Sequence, residues 1–265
     1  MFENLRAKGF EVELLAHAEA ILATDFPDAV HELETVLDAV EVPITEIIGS
    51  GGGETQGTQR MRRGLADLGW RKVCFTIEKR INGTPRESIP HDVDHVKTSP
   101  NGHVVALELE SNNKDPFFDR DLENFKRLHA EGAISVGVIV TRGSTLQDQM
   151  RDFVYRFTQD RGIVSYAELE ALGWTPTPKQ RAAVMKRVTR AKDPIDFATA
   201  WTDKFVADKY GAATTHWRKL QDRVRRGVGN PCPLLLIGLP ASIVSFDPDA
   251  RIDAEDEDEA ADDPA

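Results

Sequence analysis

The sequence predicts an α/β fold in which a central mixed β-sheet is flanked by helices. Two short runs rich in β-branched residues, Val104–Glu110 and 134–141, have the composition of strands. Apolar residues at helical spacing between them, ended by Gly132, predict a helix for which Asp115 is placed as the N-cap. Such a crossover makes its strands parallel neighbours, whereas a turn signal at 99–102 favours an antiparallel hairpin before the first strand.

The remaining elements follow from the same periodicities. Helical spacing of apolar residues predicts further helices in three segments, namely 11–40 (two helices separated at Phe26-Pro27), about 54–68, and 146–157. Alternation or short apolar runs predict three further strands, namely 71–81, 91–96 and 234–239. A glycine-rich loop at 49–53 lacks the lysine and hydroxyl of a nucleotide-binding loop, which argues against ATP binding.

Charge separates most of the chain from a short acidic tail. Residues 247–265 hold ten acids against Arg251, a net charge of −9 out of −11, with almost no apolar residues. Such a tail is expected to be disordered, and the other 246 residues carry a net charge of only −2. No apolar stretch has membrane-spanning length and no leader is visible, so we expect a cytoplasmic protein without a membrane partner.

The first central strand carries an unusual pair of acids. Side chains alternate along a strand, so Glu108 and Glu110 share one face of an otherwise apolar element. If the turn at 99–102 forms a hairpin, Asp94 comes beside them. Three carboxylates this close would repel one another unless they shared a cation, and a hard divalent ion, usually Mg²⁺, suits oxygen ligands. The alternative is a strand end whose acids are simply solvated.

Four blocks of the sequence, in order, resemble a known family. They are ITEIIGSGGGETQGTQRMRRGLADLGW (44–70), DVDHV (92–96), VALELESNNKDPFFDRDLENFKRLHAEGAISVGVIVTR (105–142) and YGAATTHWRKLQDRVRRGVGNPCPLLLIGLP (210–240). The chain resembles type II restriction endonucleases of the BamHI, BglII and BstYI branch of the PD-(D/E)XK nucleases. This resemblance implies a restriction-endonuclease-like fold. It also implies one domain over 1–246, with a helical N-terminal part (about 1–48), a catalytic core (about 49–142) and a DNA-facing C-terminal part (about 143–246), before the tail at 247–265.

The resemblance assigns roles to the acids. Asp94 matches the metal-binding aspartate and Glu108 the second metal ligand, whereas Glu110 takes the position where most of the superfamily has lysine. Glu78 matches a further site acid, and Asp92 is the rival to Asp94. Bound Mg²⁺, which Mn²⁺ is expected to replace, would activate water and stabilise charge on the phosphate. Glu110 would accept the water's proton or help to bind a second metal, and the sequence does not separate these roles.

The resemblance also implies residues that meet DNA. Asn112 and Asn113 directly follow the catalytic strand and would read base edges, although Asn residues there would also suit a turn into the next helix. The remaining DNA-binding residues implied are Lys114, Thr214, Thr215, His216, Arg218, Arg223 and Arg225. A basic run at 179–192 is a second candidate for phosphate contacts.

The expected function is therefore Mg²⁺-dependent hydrolysis of both strands of double-stranded DNA at a short palindromic site. The enzyme is expected to act as a homodimer, together with a cognate DNA methyltransferase. Two alternatives are a sequence-specific DNA-binding protein that keeps the fold without cutting, and a repair or defence nuclease without palindromic specificity.

Overall fold

The computed structural model describes residues 1–49, 55–247, 250 and 252. Most of the predicted glycine-rich loop and most of the predicted acidic tail lie outside these residues. The helices, in chain order, are α1 Glu3–Ala7, α2 Ala18–Asp25, α3 Pro27–Asp38, α4 Ile44–Gly49, α5 Gln56–Asp67, α6 Phe117–Ala130, α7 Ser144–Asp160, α8 Tyr166–Ala171, α9 Pro178–Val188, α10 Phe197–Lys209 and α11 Trp217–Arg225, with a 3-10 turn at Ala241–Ile243. The strands are β1 Glu11–Leu15, β2 Val42–Pro43, β3 Arg71–Ile81, β4 Thr84–Thr98, β5 Val104–Glu110, β6 Val136–Arg142, β7 Leu234–Leu239 and β8 Val244–Ser245.

The chain forms two compact units that alternate along the sequence. The first comprises 1–40, 58–147 and 213–242, and the described part of the second lies within 41–57, 148–212 and 243–252. The first unit contains a six-stranded mixed sheet with the order β1-β7-β6-β5-β4-β3. Strands β5, β6 and β7 are parallel, and the others pair antiparallel. The predicted α/β fold with a central mixed sheet and flanking helices is therefore confirmed.

The predicted strand–helix–strand unit forms the centre of this sheet. Helix α6 crosses one face, and its buried Phe118, Leu122 and Phe125 pack in one core cluster with Ala106 of β5 and residues of β6 and β7. Gly137 of β6 allows this close approach, because a Cβ added there would lie 2.4 Å from the Phe125 ring. The hydrophobic stripe of α6 therefore fixes the helix against the strand that carries the acids.

Two local predictions are corrected. Residues 11–15 form strand β1 rather than a helix, because they pair with the fully buried β7. Their short sequence, EVELL, fits both a helical and a strand periodicity. The buried strand β7 needs a hydrogen-bonding partner along its edge, and this requirement overrides the local preference of residues 11–15. Asp115 does not cap α6, whose N-cap is Pro116. Its carboxylate instead lies 3.3 Å from Lys219 Nζ and 3.4 Å from Arg223 Nη2 on α11.

The second unit has an aromatic core of its own. Ring contacts run through α8, α10 and the loop between α8 and α9, and the rings involved belong to Tyr166, Trp174, Phe197, Trp201, Phe205 and Tyr210. Three residues assigned to the predicted tail contact or are buried in this unit. Arg161 Nη2 donates to the carbonyls of Asp247 (3.0 Å) and Ala250 (2.5 Å), and Ile252 is buried. Contacts with this unit thus extend beyond residue 246.

Candidate active site

A β-bulge lies at Asp94, beside the β4–β5 hairpin. Arg71 pairs with Val96 and Val73 with Val93, so one residue of β3 faces both Asp94 and His95. Across the hairpin His95 pairs with Leu107, and the same register places Asp94 opposite Glu108. The turn is closed by hydrogen bonds between Ser99 and His103 and between Gly102 and Ser99. The structure therefore brings Asp94 and Glu108 together, as the predicted hairpin requires.

Glu108 and Glu110 are buried on the face of β5 that α6 covers. Their exposed fractions are 4% and 3%, and glutamates are rarely buried to this extent unless a partner compensates their charge. Thr141 on β6 donates from Oγ1 to the Glu110 carbonyl at 2.6 Å. The side chain of Asn113 donates to Glu110 Oε2 at 2.7 Å. Glu110 is thus fixed through both its backbone and its carboxylate.

Helix α6 adds two charged residues that sequence reasoning missed. Asp121 is 1% exposed, and Arg120 donates from Nε to Asp121 Oδ1 at 2.7 Å. Arg120 Nη2 also lies 3.5 Å from Glu110 Oε1. The sequence does contain a signal for Asp121. It lies three residues after Phe118 and four before Phe125, and this spacing puts it on the apolar face of the helix, where an acid is not expected. We refer to Asp94, Glu108, Glu110 and Asp121 as the acid cluster.

Burial and mutual repulsion raise the pKa values within the acid cluster. Burial, and then the charges of Asp121, Asp94 and Glu110, hold the pKa of Glu108 well above its ordinary value. Burial followed by the charge of Asp121 raises the pKa of Glu110 to about 8, although the Asn113 hydrogen bond opposes this shift. Burial likewise raises the pKa of Asp121. The pKa values of Glu108, Glu110 and Asp121 are all raised, so the acid cluster holds less negative charge at neutral pH than four isolated acids would.

The donor chemistry of the acid cluster fits a hard divalent cation. All of its donors are carboxylate oxygens, the ligand type that Mg²⁺ prefers. Asp121 Oδ2 is buried, and it accepts no hydrogen bond from an N–H or hydroxyl donor in the described chain. Within the described residues, however, no group of three or more His, Cys, Asp or Glu side chains is placed to hold a metal ion. The chemistry of the cluster suits the ion, but its carboxylates do not form a complete set of ligands.

Glu78 and Asp92 lie apart from the acid cluster. Glu78 of β3 pairs with Ser88, six residues along β4 from Asp94, which is about 20 Å at about 3.3 Å per residue. It is exposed and forms an ion pair with Arg80. Asp92 pairs across the strands with Cys74, and its carboxylate is a hydrogen-bond partner of the Cys74 thiol. The structure thus separates Glu78 from the position that the resemblance implied, and it favours Asp94 over Asp92.

The segment after β5 is joined to the segment before α11. Lys114 and Thr214 form an antiparallel bridge. The backbone N–H of Asn113 donates to Thr215 Oγ1 at 3.0 Å, and the N–H of Thr215 donates to the Asn113 carbonyl at 2.8 Å. Buried Arg142 donates from Nη2 to Thr214 Oγ1 and to the Thr215 carbonyl. The structure therefore brings together several of the residues expected to meet DNA.

The other residues expected to meet DNA have different environments. His216 is the N-cap residue of α11, and burial together with the charges of Arg142, Lys219 and Arg218 lowers its pKa to about 4. It is therefore neutral at pH 7. Arg223 is buried in ion pairs with Asp119 (2.8 Å) and Asp115, whereas Arg218 and Arg225 are exposed. Asn112 is partly buried, and its Oδ1 has no hydrogen-bond partner in the described part of the chain.

The fold and the family comparison together identify the class of protein. A mixed sheet flanked by helices, with acids along a central strand, is consistent with a restriction-endonuclease-like fold. The sequence model of the family "Restriction endonuclease BglII/BglIII" matches residues 10–239, and the chain belongs to this family. It is therefore a type II site-specific deoxyribonuclease that binds DNA. No curated protein matches the sequence. No helix in the described ranges is long and apolar enough to cross a membrane.

Proposed function

We propose that this enzyme hydrolyses both strands of double-stranded DNA at a short palindromic site, in a reaction that requires Mg²⁺. The observation that carries the proposal is the acid cluster, because burying the carboxyl groups of Glu108, Glu110 and Asp121 is costly unless a function compensates for it. For stability alone, apolar residues at these three positions would pack between β5 and α6 without that cost. Buried acids between a central strand and the helix that covers it are typical of a catalytic centre.

Asp94 and Glu108 are the proposed metal ligands, and the buried Asp121 adds negative charge beside Glu108. Bound Mg²⁺ supplies a more acidic water and charge stabilisation on the phosphoryl oxygens, and Mn²⁺ is expected to replace it. Glu110 is proposed to take up the proton of the attacking water. This role requires its charged form, which a bound cation favours because it offsets the repulsion that raises the Glu110 pKa. Arg120 is half exposed beside Glu110 and provides a positive charge for the substrate phosphate, at a site where the usual lysine is replaced.

Duplex DNA is proposed to bind across the segments that follow β5 and precede α11. Asn112 offers an amide for base edges, and the exposed guanidinium groups of Arg218 and Arg225 suit phosphates. The same two segments also contain Lys114, Thr214, Thr215 and His216. Arg223 is left out of this surface, because its guanidinium is committed to Asp119 and Asp115. Glu78 is left out of the catalytic site because of its distance from Asp94.

A palindromic site has two-fold symmetry, and a homodimer presents one active site to each strand. We therefore propose a homodimer. A nuclease of this specificity also cuts its host's DNA unless the site is modified, so a cognate DNA methyltransferase is the expected second component. The enzyme and the methyltransferase would act on the same DNA in the cytoplasm.

Digestion of plasmid DNA tests the proposal. Supercoiled plasmid is incubated with the enzyme in Mg²⁺, in Ca²⁺ and in excess EDTA, and the fragment ends are sequenced. We expect discrete fragments sharing one palindromic sequence in Mg²⁺, and DNA binding with little cutting in Ca²⁺. Glu108→Gln is the matched control, because it keeps the shape of the side chain and removes its charge. Cutting in excess EDTA would contradict the metal requirement, and a smear of random ends would contradict site specificity.

A further inference from the structure

A continuous path of hydrogen bonds links the DNA-facing C-terminal segment to the acid cluster. It starts at Arg142 on β6, whose Nη2 donates to the Thr215 carbonyl at 2.7 Å. Thr215 and Asn113 then exchange two hydrogen bonds, of 3.0 Å and 2.8 Å. It ends where Asn113 Nδ2 donates to Glu110 Oε2 at 2.7 Å. We refer to these four residues as the Arg142–Glu110 path.

Thr215 is the central residue of this path. Its side chain is fully buried, so it is shielded from competition by water. Its hydroxyl accepts the Asn113 N–H and its own N–H donates to the Asn113 carbonyl, which fixes the backbone of Asn113 from both sides. Its carbonyl is in turn held by Arg142, which is 3% exposed. The position of Asn113, and therefore the direction of its amide, depends on Thr215.

The amide of Asn113 is committed to Glu110. This hydrogen bond, of 2.7 Å, selects one orientation of the Glu110 carboxyl group. The opposite oxygen of the same carboxylate lies beside Arg120. Glu110 is thus oriented from two sides, and one of them is set by the segment that is expected to meet DNA.

We propose that Thr215 is a positioning residue for catalysis, which acts through Asn113 to orient the Glu110 carboxylate. The inference rests on the proposed function, because it gives Glu110 a part in the reaction. It assigns Asn113 to the catalytic centre rather than to base reading. Displacement of the Thr214–His216 segment by bound DNA is then transmitted directly to Glu110, so that cleavage depends on how DNA is seated on this segment.

Measuring both the single-turnover cleavage rate and the affinity for DNA shows whether Thr215 positions Glu110 or contacts DNA itself. The cleavage rate is measured in Mg²⁺ with enzyme in saturating excess over a duplex carrying the mapped site, and the Kd is measured in Ca²⁺. Thr215→Val removes the acceptor and keeps the shape, and we expect the rate to fall about tenfold with Kd within about twofold, the scale of one lost hydrogen bond. Thr215→Ser restores the acceptor and should restore the rate. Thr202→Val is the matched control, because Thr202 is equally buried and its hydroxyl has no hydrogen-bond partner in the described residues.

A double mutant tests whether the effect passes through Asn113. Asn113 is exposed, so Asn113→Ala is expected to fold and to lower the single-turnover rate. Combining it with Thr215→Val should lower the rate no further, because both changes interrupt one path. Multiplying effects would overturn the proposed path, and so would a Thr215→Val enzyme with weaker binding but an unchanged saturating rate. A wild-type enzyme that does not cut DNA in Mg²⁺ would instead refute the proposed function itself.

Discussion

The buried carboxyl group of Glu110 predicts that the metal-free protein loses stability as pH rises. Its pKa is about 8 in the folded protein against 4.5 as the ordinary value, so the folded state holds this proton more tightly than the unfolded state. Between these two pKa values the folded state binds more protons, and the free energy of unfolding therefore falls with increasing pH. The contribution is fully present below about pH 4.5 and is lost as pH passes through 8.

The magnitude follows from the width of this pH window. Each pH unit within it changes the free energy of unfolding by about 1.4 kcal/mol, so the ceiling from pH 5 to pH 8 is about 4 kcal/mol. Entry of water and movement of Arg120 toward the charged carboxylate reduce this value, and we expect about 2 kcal/mol. Glu110→Gln removes the titrating group, so it should be more stable than the wild type at pH 8 by about this amount, with little difference at pH 5.

Urea denaturation in EDTA from pH 5 to pH 8 measures the effect. The wild type, Glu110→Gln and the control Glu19→Gln, which alters an exposed glutamate of α2, are compared at each pH. Addition of Mg²⁺ should flatten the pH dependence of the wild type, because the cation compensates the carboxylate charge. A stability difference between the wild type and Glu110→Gln that stays constant over this range would refute the reasoning.

Three further predictions test other parts of the account. Arg223→Ala should lower the free energy of unfolding by about 3 kcal/mol, because it leaves Asp115 and Asp119 without their buried partner. Arg225→Ala should leave the denaturation curve unchanged, but it should weaken DNA binding and reduce the dependence of that binding on salt. The reverse pattern would contradict these roles. Glu78→Gln should keep the wild-type single-turnover rate, and a loss of tenfold or more would return Glu78 to the active site. Truncation after Ile252 should preserve the melting temperature. Truncation after Phe246 should lower it by several degrees, because buried Ile252 and the contacts of Arg161 are lost. Equal melting temperatures for the two truncated proteins would place the end of the folded domain at residue 246.

The sequence predicts the part of the site that lies on one strand and its hairpin. Glu108 and Glu110 stand out because they interrupt an apolar strand, and the turn at 99–102 brings Asp94 opposite Glu108. Asp121 is not predicted, because its place in the site depends on how α6 docks on the sheet. The bond from Asn113 to Glu110 and the ion pairs of Arg223 also depend on contacts between distant segments.

The differences between the sequence-based expectations and the structure have a common physical cause. Residues 11–15 fit a helical period locally, but the edge of β7, more than 200 residues away, selects the strand. Glu78 matches a family position in sequence, but the long β3–β4 hairpin carries it away from Asp94. In both cases the outcome depends on pairing with another strand, which the local sequence alone does not specify.

Single-turnover cleavage of the mapped duplex by Asp94→Ala and Asp92→Ala tests the central claim, that cleavage occurs at the acid cluster. The two aspartates are two residues apart on β4, but only Asp94 lies opposite Glu108. We predict that Asp94→Ala lowers the rate by at least a thousandfold with folding intact, on the order expected when an essential metal ligand is lost, and that Asp92→Ala cuts at close to the wild-type rate. An active Asp94→Ala enzyme beside an inactive Asp92→Ala enzyme would contradict the account.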